Sequence, residues 1–398
     1  MKTTRSTKFY LATAAAALVL VSAAGCTATT GSDGTGKTSA PDASTQQLQT
    51  SLDRLVEAGF PAALGTVTEA DGETASIASG VADLDSGRAA EPNGQVRIAS
   101  NTKMFTATVV MQLVDEGEVS LDEPIDRYLP GLVAGDGIDG RQISVRQLLQ
   151  HTSGLPEYVV DVIGHEGGLA RYWSPRDILD MAFTHPAVFA PGERWEYSNT
   201  NYVVLGLLIE RVTGEPLENQ IDERIVQPLS LTQTVLPHGG DRSIAGEHPL
   251  GYHPDPETGE LVDSTELDPG ATWAAGGMLS TPEELNVFMQ ALFDGELTSA
   301  EALKQMLTTV PAEDDVWPGS AYGLGVQAYP LSCGGVAWGH GGDIFGYETR
   351  NAVSDSGEAV TIAVTTLPSS LVDPADDEAL TDSYRSVFQA MNDALCAA

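Results

Sequence analysis

Three short stretches carry side chains that could do chemistry together. In Val96-Arg97-Ile98-Ala99-Ser100-Asn101-Thr102-Lys103, a serine and a lysine stand three residues apart. On a helix they share a face, so the amine can approach the hydroxyl. A serine hydroxyl is a weak nucleophile until a base takes its proton. A buried lysine can be that base where desolvation and a neighbouring cation keep it neutral. Tyr197-Ser198-Asn199 adds a phenol, which loses its proton more easily beside ammonium groups, and an amide that could orient Lys103 and hold a substrate carbonyl. Trp338-Gly339-His340-Gly341-Gly342-Asp343 adds an imidazole that could anchor the site by hydrogen bonds, among glycines that let a substrate backbone come close. Each stretch alone also fits an ordinary helix cap, a packed aromatic or a glycine-rich bend. The lysine count favours chemistry: the chain has only Lys2, Lys8, Lys37, Lys103 and Lys304, and one of them follows a serine by one turn at the head of an apolar helix.

The elements that must position these residues are readable from periodicity. Met104, Phe105, Val109, Val110, Leu113 and Val114 are apolar at helical spacing and end at Asp115-Glu116-Gly117. Helices are expected over 46–58, 143–149, 201–213, 282–293, 300–307 and 376–395. Ala63–Val67 and Ala75–Ala78 flank Ala70-Asp71-Gly72 as a hairpin. Strands are expected at 322–328, 336–338, 347–353 and 359–366, and loop over 120–132 and 237–270. Strands from both chain ends with helices between them predict an α/β (α+β) fold. An antiparallel sheet is flanked by terminal helices, with a mainly helical lobe inserted. The α/β lobe is expected at about 46–120 and 310–398, and the helical lobe at about 121–309.

The N-terminus reads as a signal peptide over 1–25. Lys2, Arg5 and Lys8 precede an apolar run from Phe9 to Ala24 that is rather short for a membrane span. Ala23-Ala24-Gly25-Cys26 resembles a bacterial lipobox, which implies cleavage before Cys26 and lipid on its sulfur; the alternative is plain secretion. Residues 26–45, poor in large apolar side chains, are expected to be a flexible tether. That leaves Cys333 and Cys396 as an even pair outside the cell, so a disulfide between them is expected, against two free thiols. Losing the three basic residues of the leader takes the formal charge from −36 to −39. Such a surface repels phosphate backbones, so no nucleic-acid partner is expected. Seven histidines and three cysteines show no paired ligand spacing, which disfavours zinc, and a serine nucleophile activated by a lysine needs no metal or cofactor. There is no Gly-x-Ser-x-Gly elbow, which disfavours an ordinary α/β-hydrolase.

Ser100-x-x-Lys103, Tyr197-Ser198-Asn199 and His340-Gly341-Gly342, in that order, resemble the three motifs of the serine penicillin-recognising family. Its members include class C β-lactamases, D-alanyl-D-alanine carboxypeptidases, D-aminopeptidases and related esterases. The resemblance runs from about Leu48 to Leu395. It covers Leu148-Leu149-Gln150-His151-Thr152-Ser153-Gly154-Leu155, Pro191-Gly192 and Trp273-Ala274-Ala275-Gly276-Gly277-Met278, and is strongest to secreted actinobacterial D-alanyl-D-alanine carboxypeptidases. It implies an acyl-enzyme on Ser100, base and proton-relay work shared by Lys103 and Tyr197, and substrate positioning by Asn199. It also implies cleft-lining roles for His340 and Trp273, and an oxyanion hole from the backbone N–H groups of Ser100 and Asp343. The carboxypeptidase pattern departs at two places. Its third motif carries threonines where this chain has Gly341 and Asp343, next to Gly342, and its carboxylate-binding arginine is replaced by Gln327. An anionic Asp343 with no arginine would repel a substrate carboxylate and favour a free amine. The expected protein is thus an extracytoplasmic, lipid-anchored, monomeric serine hydrolase acting on D-alanyl peptides, β-lactams or related amides and esters. The alternatives are a D-aminopeptidase, an esterase or a penicillin-binding sensor without turnover.

Overall fold

Residues near both ends of the chain meet in one antiparallel sheet of nine strands. The structure is a computed structural model and describes residues 43–312 and 316–398. The expected signal peptide, the lipid site at Cys26 and nearly all of the expected tether lie outside the described residues. Ala43 already opens a helix, so the tether as expected runs a few residues too far.

The strands are β1 (Ala62–Thr68), β2 (Thr74–Asp83), β3 (Arg88–Ala89), β4 (Val310–Pro311), β5 (Ala321–Tyr322), β6 (Gln327–Pro330), β7 (Val336–Ile344), β8 (Tyr347–Ser354) and β9 (Ala359–Val364). Their order across the sheet is β4-β5-β6-β7-β8-β9-β1-β2-β3. Central β1 and β9 are buried along their whole length, which is why they read as continuous small and β-branched runs without alternation. Helices α1 (Ala43–Glu57) and α6 (Asp377–Leu395) cover one face, where Leu48, Leu52 and Leu55 pack with Val387, Met391 and Leu395. A disulfide joins Cys333, just before β7, to Cys396 at the end of α6, with Cα atoms 5.7 Å apart.

The other face carries the site. Helix α2 (Thr102–Asp115) is buried on nearly every side, and so follows the short 3-10 turn Ala99–Asn101 into the core. Short helix α3 (Val159–Gly164) and helix α4 (Thr200–Thr213) belong to the insertion. Helix α5 (Pro282–Phe293), grouped with the insertion in the sequence reading, lies on the sheet. Its buried Asn286 donates to the carbonyls of Thr66 and Ala359 and accepts from the Thr361 hydroxyl.

Two differences from the expected strands matter for the site. The run expected at 322–328 splits into β5 and β6 around Gly325, whose φ of +80° and contact with Ala107 leave no space for a side chain. Strand β7 extends past Trp338 to Ile344 and so contains the whole glycine-rich motif. Because β6 pairs with β7 only as far as Gly339, residues 340–344 present an open edge on that side. Among the described residues no helix is long and apolar enough to cross a membrane.

Candidate active site

Ser100 sits in the turn Ala99–Asn101, reached through Ala99 at φ +44°. That left-handed conformation costs roughly 1 kcal/mol or more for a residue other than glycine. The surroundings hold it in place. Buried Asn101 donates to the Ile98 carbonyl (2.8 Å) and the Thr349 hydroxyl (2.5 Å), and accepts from Asn351 Nδ2 (2.6 Å). Asn351 Oδ1 in turn accepts the His340 backbone N–H (3.0 Å). A chain of amides thus ties the serine turn to β7 through β8. Gly342 shows how closely they meet: a Cβ there would stand 2.2 Å from the Ile98 carbonyl oxygen.

One turn into α2, Lys103 is fully buried. Its Nζ lies 3.0 Å from Ser100 Oγ, 2.7 Å from Asn199 Oδ1 and 2.7 Å from the Ala275 carbonyl oxygen. Two of these partners only accept hydrogen bonds. A neutral amine would spend both hydrogens on them and turn its lone pair to the serine hydroxyl. Burial drives the amine's pKa down to about 7, against the pull of Glu157 and Asp343, which favour the cation. The neighbouring cation expected from the sequence plays no part; desolvation does the lowering.

Glu157 fixes the amide of Asn199. One carboxylate oxygen accepts the Asn199 backbone N–H (2.7 Å) and Nδ2 (2.9 Å), which turns Oδ1 towards Lys103. The other accepts the N–H groups of Tyr158 and Val159 at the start of α3 (2.8 Å each). The Tyr197 hydroxyl is close enough to Ser100 to interact with it, and the Lys103 amine lies 4.8 Å from the centre of its ring. Contrary to the sequence expectation, burial raises the phenol well above its usual range and outweighs the opposing influence of Ser100, so Tyr197 rests protonated. The phenol, the hydroxyl, the amine and the Asn199 amide therefore converge in one place from segments about a hundred residues apart.

His340 is buried and neutral. Desolvation first, then the Lys103 cation, press its pKa down to about 3. Gln327 does not wait for a ligand: its Oε1 accepts the Gly341 N–H (3.3 Å) and the Tyr329 hydroxyl. Asp343 is the largest correction. Its carboxylate accepts from both terminal nitrogens of Arg350 (2.9 and 3.2 Å). Arg350 also pairs with buried Glu348 (2.7 Å) and lies over the Phe388 ring on the α6 side of the sheet. Trp273 is buried, with its ring against Gly206, and lines the core instead of the cleft; its neighbours Thr272, Ala275 and Gly276 line the cleft.

Above Ser100 opens a cavity of about 220 Å³. Val159, Ile163, Leu169, Ile344, Phe345 and Leu367 make it largely apolar, Asp343 borders it, and among the described residues no lysine, arginine or histidine lines it. Among the described residues no group of three or more metal-type ligands gathers anywhere.

Comparison with known proteins bears on this geometry. The family model described as Beta-lactamase matches residues 47–385. Penicillin-binding protein 4 of Amycolatopsis lactamdurans is 28% identical over 70% of this chain and 70% of its own length. The crystal structure of a D-stereospecific amidohydrolase from Streptomyces sp. is 35% identical, with a TM-score of 0.75 over 82% of this chain and 94% of that one. That of D-amino acid amidase from Ochrobactrum anthropi SV3 complexed with L-phenylalanine is 28% identical, with a TM-score of 0.76 over 87% and 98%. The chain spans 40–70% of the length of the curated relatives it matches.

Proposed function

The chain belongs to the Beta-lactamase family, and on that premise we propose that it is an extracytoplasmic serine hydrolase of small neutral amides and esters with D-configured acyl groups. The observation that carries this choice is that, among the described residues, no free cation lines the cleft. A carboxypeptidase must hold its substrate's terminal carboxylate. Here Arg350 is committed to Asp343 and Glu348, and Gln327 to Gly341 and Tyr329. The apolar wall suits a hydrophobic side chain, and a D-stereospecific amidohydrolase and a D-amino acid amidase are among the similar structures, which supports amides with a D-configured acyl group.

In the proposed mechanism the Lys103 lone pair takes the Ser100 proton as Oγ bonds to the substrate carbonyl carbon. The carbonyl oxygen gains the charge and meets the backbone N–H groups of Ser100 and Asp343. Gly341 directs its N–H to the open edge, towards Gln327; two residues on, alternation points the Asp343 N–H the same way. As the intermediate collapses, the C–N or C–O bond breaks and the leaving group takes a proton from Lys103, through the protonated Tyr197. Water then attacks the acyl-enzyme by the same route in reverse, releasing the acid and free Ser100.

The apolar leader and Cys26 support a chain tethered by lipid outside the cell. The test is a substrate panel at pH 8: D- and L-phenylalanine amide, a short nitrophenyl ester, a chromogenic β-lactam and a D-alanyl-D-alanine peptide. Turnover should favour D-phenylalanine amide over its L-form and over the carboxylate-bearing peptide. Faster cleavage of the peptide would reverse the choice.

A further inference from the structure

The third-motif histidine is joined to the second-motif loop by a buried path whose direction is fixed at both ends by the backbone. His151 Nδ1 faces the Ser198 backbone N–H (3.1 Å) and Asn201 Nδ2 (3.1 Å). An amide N–H only donates, so Nδ1 must accept and a neutral His151 carries its proton on Nε2. With Nδ1 an acceptor, Asn201 must turn its Nδ2 to the ring, which leaves its Oδ1 to accept the Ser153 hydroxyl (2.5 Å). His151 Nε2 lies 3.2 Å from the Tyr322 hydroxyl oxygen. That hydroxyl lies 2.9 Å from His340 Nε2. At the far end, His340 Nδ1 lies 2.5 Å from the Gly341 carbonyl oxygen, which only accepts. His340 must therefore carry its proton on Nδ1, and its Nε2 must accept. Tyr202 does not compete as a donor, since its hydroxyl is given to the Leu149 carbonyl (2.9 Å).

We propose that His151, Tyr322 and His340 form a one-way hydrogen-bond relay, with opposite tautomers on the two imidazoles, that positions Tyr197 and the open edge of β7 against each other. The first member holds the phenol: the His151 ring stacks on Tyr197 with centroids 4.3 Å apart and planes 27° apart. The last member holds Gly341, two residues before the Asp343 N–H. The hydroxyl of Tyr322 in the middle fixes the distance between the two walls of the cleft. Each of the three is buried, so an unpaired nitrogen or oxygen along the path would be costly, and the pattern is all or none. The relay makes the third motif a neutral anchor and leaves Lys103 as the titrating amine at Ser100. These are positioning residues; none of them needs to touch substrate. The rate consequence rests on the serine hydrolase reading, but the tautomers do not.

The experiment has two arms. Long-range 15N–1H correlation spectra of the uniformly 15N-labelled native protein at pH 7, assigned with His151→Gln and His340→Gln, read the tautomers without any substrate. His151 should show the Nε2–H pattern and His340 the Nδ1–H pattern; the reverse assignment, or an imidazolium at either site, overturns the relay. In the second arm, Tyr322→Phe keeps the ring and removes only the hydroxyl. It should lower kcat for the best substrate of the panel tenfold or more, leave KM within about threefold, and let His340 drift from a single tautomer. Unchanged kcat with unchanged His340 shifts would remove Tyr322 from the relay. If native tautomers are as stated and no substrate is turned over, the relay stands and the functional reading falls.

Discussion

Replacing Glu157 by glutamine should move the pH dependence of the enzyme in a calculable direction. The carboxylate lies one amide away from the Lys103 amine, across Asn199, with contacts of 2.9 and 2.7 Å on the two sides. The charges are therefore no more than about 8 Å apart, where at an effective dielectric of about 20 their attraction is worth roughly 2 kcal/mol. Glu157 is partly exposed, so about half of that is a fair expectation, or about one pH unit. Lys103 must be neutral to act as base, and its pKa lies at about 7. In the native protein kcat/KM should rise with pH through about 7, as the amine loses its proton. Glu157→Gln removes an interaction that favours the cation, so the rising limb should shift down by about one unit. The plateau should fall as well, because glutamine cannot accept the four N–H groups that the carboxylate accepts, and Asn199 loosens. The assay is kcat/KM on a nitrophenyl ester from pH 4.5 to 9.5, corrected for spontaneous hydrolysis. A limb that stays in place, or moves up, would refute the view that Lys103 is the titrating base and Glu157 its counter-charge.

Other outcomes follow from the same geometry. Gly342→Ala should abolish activity and cost several kcal/mol in chemical denaturation, since its Cβ would fall 2.2 Å from the Ile98 carbonyl oxygen beside the nucleophile. Gly72→Ala, at φ +88° in open space, should cost only about 1 kcal/mol and leave kcat unchanged. Reducing the disulfide opens a cross-link between residues 63 apart in sequence. That should lower unfolding free energy by about 4 kcal/mol while the enzyme stays active below its new midpoint. Lys103→Met fills the same volume without the amine and should stop turnover while near-ultraviolet circular dichroism stays native.

Much of the site could be read from residue types and spacing. Lys103 follows Ser100 by three residues at the head of an apolar helix, and that local relation survives folding, with the serine on the 3-10 turn that leads into the helix. Tyr197 and Asn199 could be named, but the protonation of the phenol could not, since it depends on burial under segments far away in sequence. Asp343 shows the limit most clearly. As an isolated acid in a glycine-rich run it reads as a free charge, whereas the strand register sets Gly341 opposite Arg350 and so brings the guanidinium to Asp343. The glycines misled the strand boundary for a related reason. They read as a bend, yet Gly339, Gly341 and Gly342 are each pressed by a neighbour — Asn351, Arg350 and Ile98 — and a strand of bare backbone is what fits. Glu157, Tyr322 and Arg350 carried no signal of their own. Their partners lie on other elements, and charge or aromaticity alone does not say which.

The central claim is that Ser100 becomes covalently acylated because Lys103 activates it, and intact-mass spectrometry with peptide mapping tests it most directly. After incubation with a fluorophosphonate or a labelled penicillin at pH 8, the native protein should gain one adduct, located on the peptide containing Ser100. Ser100→Ala should gain none and Lys103→Met should gain it far more slowly. A native chain that remains unlabelled, or a label that persists in Ser100→Ala, would contradict the account.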